Sequence, residues 1–166
     1  MSTPSHQSSR MAGTLQIAGM VIATLGIFFG FYFLGSHPRN SIKIVTTTCV
    51  GIVGFLAFVR HVVFHRADAE RLGWQTERPD WQFEVGFANL AFAIMGGLAA
   101  FGSPDFKVHG IVLLGYAVYL FQAAMLHLYR HVTDEKSSTA RFWRSVVPPL
   151  LYAGVMTCFA VFALRF

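Results

Sequence analysis

Two histidine-bearing segments of this sequence share one spacing. His61, His65 and Asp68 read HxxxHxxD, and His127, His131 and Asp134 repeat that pattern 66 residues later. On a helix, positions i, i+4 and i+7 fall within about 60° of one face, so each segment can present two imidazoles and a carboxylate in a column. Seven His scattered independently over 166 residues would give roughly 0.3 HxxxH pairs. Neutral imidazoles at this spacing suit Zn, Fe, Mn or Cu, and helix bundles build dinuclear centres from His and carboxylates on facing helices. Glu84 adds a carboxylate near the same level. One His from each segment can instead ligate a haem axially. His61, His65, His127, His131 and Glu84 are therefore the candidate ligands for a transition metal or haem in redox or membrane-associated metal chemistry. Asp68 and Asp134 are weaker members, since solvation alone would explain them.

Two other readings use the same residues. His and Arg at a helix C-terminus complement the macrodipole and anchor the helix at lipid headgroups. Arg60, Arg66 and Arg130 stand among these His and would repel a bound cation. Imidazoles at a membrane rim can also relay or sense protons.

The elements that must position these residues follow from where charge is missing. The chain is 54% hydrophobic and 13% charged, against roughly 25% charged in an ordinary soluble domain. That composition excludes a disordered chain and argues against a soluble core. Stretches without Asp, Glu, Lys or Arg run over 11–38, 44–59, 85–104, 108–129 and 145–164. All but the second reach the roughly 18 to 20 residues that cross a bilayer. The second does so if it continues through Arg60, whose long side chain can extend to the interface. The expected fold is all-α: a polytopic membrane protein with five transmembrane helices at about 12–35, 44–64, 84–102, 108–130 and 145–164. Residues 1–10 are expected as a disordered tail and 11–166 as a single transmembrane domain. The first apolar run is too long for a signal-peptide core and has no small-residue cleavage site after it, so it reads as a retained helix.

Lys and Arg set the orientation, because cytoplasmic loops carry their excess. Arg10, Arg60, Arg66, Arg71, Arg78, Arg130, Lys136, Arg141 and Arg144 fall on one face, against Arg39, Lys43, Lys107 and Arg165 on the other. This bias predicts the N-terminus in the cytoplasm and the C-terminus outside, with both His segments at the cytoplasmic rim. The equivalent positions hint at a duplicated two-helix unit, as some transporters contain. The net charge of +5 is a topology signal, and no basic stripe with aromatic interleaving suggests nucleic acid.

Other polar residues have structural readings beside functional ones. Asn89 and Gln122 can hydrogen-bond neighbouring helices, or Gln122 with Tyr116 and Tyr119 can line a polar path toward His127. Gly26 and Gly30 form GxxxG, which lets helices approach closely within the chain or in a homo-oligomer. Cys49 and Cys158 read as apolar thiols, joined only if the second and fifth helices touch. No GxGxxG, P-loop, GxSxG or HExxH pattern occurs. Trp74 and Trp81 suit the interface, and Gly73 reads as the end of a helix continuing from the second span.

The run from Gly73-Trp74 through Pro79, Gln82, Glu84, Gly86 and Ala88-Asn89-Leu90 resembles a family of small bacterial inner-membrane proteins of no assigned activity. Their GW, P, Q, E, G, ANL signature lies between two helices. The likeness spans about 18 residues and departs at Asp80, which stands between Pro79 and the aromatic-Gln pair. It implies a bacterial cytoplasmic-membrane location and no substrate or cofactor. Two function classes remain: a metal or haem protein, and a non-enzymatic transport or channel subunit or structural partner of a membrane complex.

The charge bias generates a first prediction. Reporter fusions after residue 10 and near residue 73 should be active only in a cytoplasmic reporter, and a fusion near residue 105 only in an exported one. The reverse pattern would contradict the assigned orientation.

Overall fold

A computed structural model of the protein describes residues 6–72, 78–133 and 139–166. Among them every secondary-structure element is a helix: α1 (His6–Leu34), α2 (Pro38–Val45), a π-helical segment (Thr46–Ile52), α3 (Val53–Val62), α4 (His65–Leu72), α5 (Asp80–Gly102), α6 (Phe106–Thr133), α7 (Thr139–Ser145) and α8 (Val147–Leu164). Five helical stretches are long and apolar enough to cross a membrane: Gln7–Leu34, Pro38–Val62, Asp80–Gly102, Phe106–Thr133 and Val147–Leu164. Large apolar side chains stand exposed along them, among them Phe28, Phe87, Leu98 and Leu151. In a multi-pass membrane protein that surface faces lipid.

The span boundaries differ from those expected. The second span gains its length at the opposite end, starting at Pro38 rather than residue 44 and closing at Val62 rather than 64. Proline at the first helical position has no N–H to leave unpaired. The two cations that enter the helix with it, Arg39 and Lys43, keep their heads at the surface, with Lys43 Nζ 5.0 Å from the centre of the Phe101 ring. The third span begins at Asp80, where a carboxylate in the first turn complements the dipole. The last begins at Val147, with two prolines in its first turn, after the separate short helix α7. α1 starts at His6, inside the stretch read as a tail.

The chain divides into two compact units, Met1–Ser103 and Pro104–Phe166. In the first, α1 presents a row of small buried residues, Ala12, Gly19, Ala23, Gly26 and Gly30, and α2 with the π segment packs onto it. Ser41 Oγ donates to Gly30 O at 2.6 Å, and Cys49 Sγ lies 3.7 Å from Ala23 O. A Cβ at Gly26 would collide with Thr48 and come 3.1 Å from Cys49 Sγ. The GxxxG of α1 thus serves packing inside the chain. Thr46, Thr47 and Thr48 each donate a hydroxyl to the carbonyl four residues back, at 2.8, 2.8 and 2.7 Å. Such back-bonding adds donors to the carbonyls just where the backbone ladder widens to π geometry.

α5 runs antiparallel to this span and meets it at three levels. A Cβ on Gly96 would lie 2.9 Å from Gly51 N, one on Gly54 3.0 Å from Asn89 O, and one on Gly86 would strike Val62 and come 3.3 Å from the Cβ of His61. Backbone contact of this kind needs residues without side chains, and in lipid it supplies van der Waals packing where no hydrophobic drive exists. The Gly86 crossing fixes His61 against α5.

In the second unit α6 and α8 pair antiparallel, with Gly110 against Leu164 and Ala160 and the rings of Tyr116 and Tyr152 6.5 Å apart, edge to face. α7 lies beside the end of α6, the His131 ring 5.1 Å from Phe142.

Overpacking a close helix contact costs about 1–3 kcal/mol. Gly26→Leu should therefore lower the unfolding free energy of the detergent-solubilised protein by that amount in a denaturant titration. Gly97→Leu, at a position where a Cβ meets nothing within 4 Å, should change it far less. Equal effects would place the α1 contact elsewhere.

Candidate functional site

The polar residues that converge in the first unit lie where the second span ends. The helix closes after Val62, and the apolar pair Val63–Phe64 turns the chain. Phe64 N reaches back to Val59 O at 3.3 Å, and Asp68 N already bonds Phe64 O at 2.9 Å in the start of α4. α4 is short and polar and packs against α1 and α3. Arg66 and Glu70 are exposed on its outer side, while Ala67, Asp68 and Ala69 are buried on the inner side.

Asp68 is 0% exposed. Its Oδ1 lies 3.3 Å from Arg60 Nε, and its Oδ2 lies 3.0 Å from His61 Nδ1. Both are ion-pair distances off the line of a good hydrogen bond. Arg60 Nη2 sits 3.1 Å from His61 Nε2. A guanidinium only donates, so Nε2 is the acceptor there. With Nε2 accepting, a neutral His61 carries its proton on Nδ1, the nitrogen on the side of the carboxylate. The three residues form a cluster of one cation, one anion and one imidazole. The carboxylate also stands in the first turn of α4, where the helix dipole favours negative charge.

Gln82, at the start of α5, completes the junction. Its side chain is buried, and Nε2 donates to His65 O at 2.7 Å, tying the first residue of α4 to α5. The His65 ring turns away from Asp68: its Nδ1 lies 3.0 Å from Val62 O, and its face meets Phe83 edge-on at 5.1 Å.

The column expected of His61, His65 and Asp68 is therefore divided by the helix break. The structure joins His61 to Asp68 and excludes His65. Asp68 is not solvated, contrary to the expectation, because the helix break at Val63–Phe64 brings the first turn of α4 against Arg60 and His61. Glu84 is exposed and stands outside the cluster. Asn89 is buried and donates to Val85 O at 2.8 Å in its own helix. In the second unit Gln122 is exposed, and His127 and His131 are half-buried. Asp134, Gly73 and Trp74 lie outside the described residues. Cys49 and Cys158 are both free thiols.

Among the described residues no three His, Cys, Asp or Glu side chains come together as a metal would require. The chemistry of the cluster agrees, since both nitrogens of His61 already face protein partners and a guanidinium occupies the space a cation would need. Sequence reasoning missed two members. Arg60 stood out only as a charge unfavourable to a metal and as a side chain able to extend to the interface, although its eight-residue separation from Asp68 fits a helix that breaks between them. Gln82 stood out only within the signature run.

A profile of the family of unknown function DUF6790 matches residues 9–165, and the chain belongs to that family. No curated protein and no solved structure matches it.

Removing one partner of a buried ion pair costs about 3–5 kcal/mol, and the 19% exposure of the Arg60 side chain moves the expectation to the lower end. Asp68→Ala should lower the stability of the solubilised protein by about 3 kcal/mol in a denaturant titration. Glu84→Ala should leave it within about 0.5 kcal/mol.

Proposed function

We propose that this member of the DUF6790 family is a non-enzymatic multi-pass protein of a bacterial cytoplasmic membrane, a structural or transport subunit of a membrane complex. Its N-terminus lies inside and its C-terminus outside. Arg60, His61 and Asp68 act as a latch that holds the polar helix α4 against the inner end of the second span. One observation carries this reading: the ionisable groups at that end are turned on one another, with the Asp68 carboxylate fully buried between Arg60 and His61. A ligand site would keep donor atoms open toward a cavity. The excess of Lys and Arg on the loops of one face supports the orientation. The likeness of the Gly73 to Leu90 run to inner-membrane proteins supports the compartment. His127 and His131, at the inner end of α6, serve on this reading as headgroup anchors.

The test is metal analysis with an absorption spectrum on protein purified in detergent without chelators, beside a His61→Ala/His127→Ala double variant. The expected result is no stoichiometric metal, no haem band and no difference between the two proteins. Stoichiometric metal or haem lost in the variant would overturn the reading and restore the redox class.

A further inference from the structure

We infer that a second copy of this chain docks on the face of α6 turned away from α8, where the side-chain amides of the two Gln122 residues pair across a two-fold interface. The inference names a partner for the membrane-complex reading above. Its first support is a pattern. Ile111, Gly115, Val118, Gln122, Met125 and Tyr129 follow one another at steps of four and three residues, the heptad spacing that keeps one helix face toward a partner helix. At 100° per residue all six lie within about 40° of one line along α6. None of them is buried. The opposite side of the helix is turned to α8, with Gly110 against Ala160 and Tyr116 against Tyr152.

An apolar stripe alone would face lipid at no cost, and Gln122 changes that. The charge-free stretch of α6 runs over 108–129, so at 1.5 Å per residue Gln122 lies about 5 Å from its middle. That leaves about 10 Å to the edge of a hydrocarbon core roughly 30 Å thick. A Gln side chain does not reach so far, unlike the long stems of Lys and Arg. Asn89 and Thr157, also polar and within spans, are satisfied on their own helices: Asn89 donates to Val85 O and Thr157 to Ala153 O, each at 2.8 Å. Gln122 is exposed and, among the described residues, has no hydrogen-bond partner. An amide left so in hydrocarbon is costly, and a hydrogen bond across to another helix removes the cost.

The same chemistry selects the occupant. An amide carries two donors and an acceptor, so it is complementary to itself. A second copy inserts with the same orientation and brings its own Gln122 to the same depth, where a two-fold axis through the stripe lets each amide donate to the other. Between Lys107 and Arg130 the helix has no Asp, Glu, Lys or Arg, so no like charges oppose the approach. Gly115, two turns away on the stripe, puts no side chain between the backbones.

The experiment uses the full chain with Cys49→Ala and Cys158→Ser, carrying one new cysteine, in native membranes under a mild oxidant. Val118→Cys should give a disulfide-linked dimer. Leu98→Cys on α5 and Leu151→Cys on α8, both 66% exposed in the parent, should not. In liposomes, energy transfer between donor- and acceptor-labelled chains should report association that Gln122→Leu weakens about three- to tenfold, the range of interhelical hydrogen bonds in membranes. An absent Val118→Cys dimer, an equal yield from Leu98→Cys or Leu151→Cys, or association unmoved by Gln122→Leu overturns the inference. A loss of stability in Gln122→Leu without cross-linking of Val118→Cys gives the stripe an occupant other than a second copy, which also overturns it. None of these results bears on metal or haem, so the non-enzymatic reading stands or falls by its own assay.

Discussion

A carboxylate with no exposed surface must be neutralised where it sits, and at Asp68 that requirement reaches into every neighbouring element. Arg60 and His61 have to lie on the last turn of the second span. The helix has to break at Val63 and Phe64 so that the first turn of α4 brings Asp68 to them. Gln82 has to hold the start of α4 from α5, and α5 can approach closely enough only because Gly86 puts no side chain against His61. Each of these features is unremarkable alone. Together they are what allows an ion pair at a membrane boundary, where the desolvation of both partners would otherwise outweigh their attraction.

The packing above the cluster follows a different physics. Lipid tails are as apolar as Leu or Phe, so burial of apolar side chains drives helix association weakly in a membrane, and close backbone contact takes its place. That is why the buried row of α1 is Ala and Gly, why Gly51 and Gly54 meet Gly96 and Asn89, and why the large aromatics Phe28 and Phe87 point outward. The π-helical turn sits at the same level as the Gly26 and Gly96 crossings. There the threonine hydroxyls bond to backbone carbonyls in the part of the second span most closely approached from both sides.

Much of the fold was legible because charge in a bilayer is so costly that its absence marks a span: each of the five membrane-capable helices among the described residues overlaps most of a stretch free of Asp, Glu, Lys and Arg. Their ends were less so. Pro38 and Asp80 start helices by local chemistry that a count of charges overlooks. The candidate site was half legible. The spacing of His61 and Asp68 marked residues on a common face, and they do meet. The break between them was hidden, because Val62-Val63-Phe64 contains neither Gly nor Pro and reads as uninterrupted helix. With the break unseen, His65 joined the column and Arg60 became an obstacle to a metal, when it is the partner of the carboxylate. Gln82 was invisible for a related reason: its hydrogen bond is to a backbone carbonyl, and no side-chain pattern records that.

The central claim is that Arg60 and Asp68 depend on each other. A double-mutant cycle on the solubilised protein, with Arg60→Gln, Asp68→Asn and the pair together, isolates that dependence from the loss of either residue alone. The account predicts a coupling of about 1–3 kcal/mol, the double variant being less damaged than the two single ones summed. A coupling within about 0.3 kcal/mol of zero, with additive losses, would mean that the two charges do not hold α4 and would contradict the account.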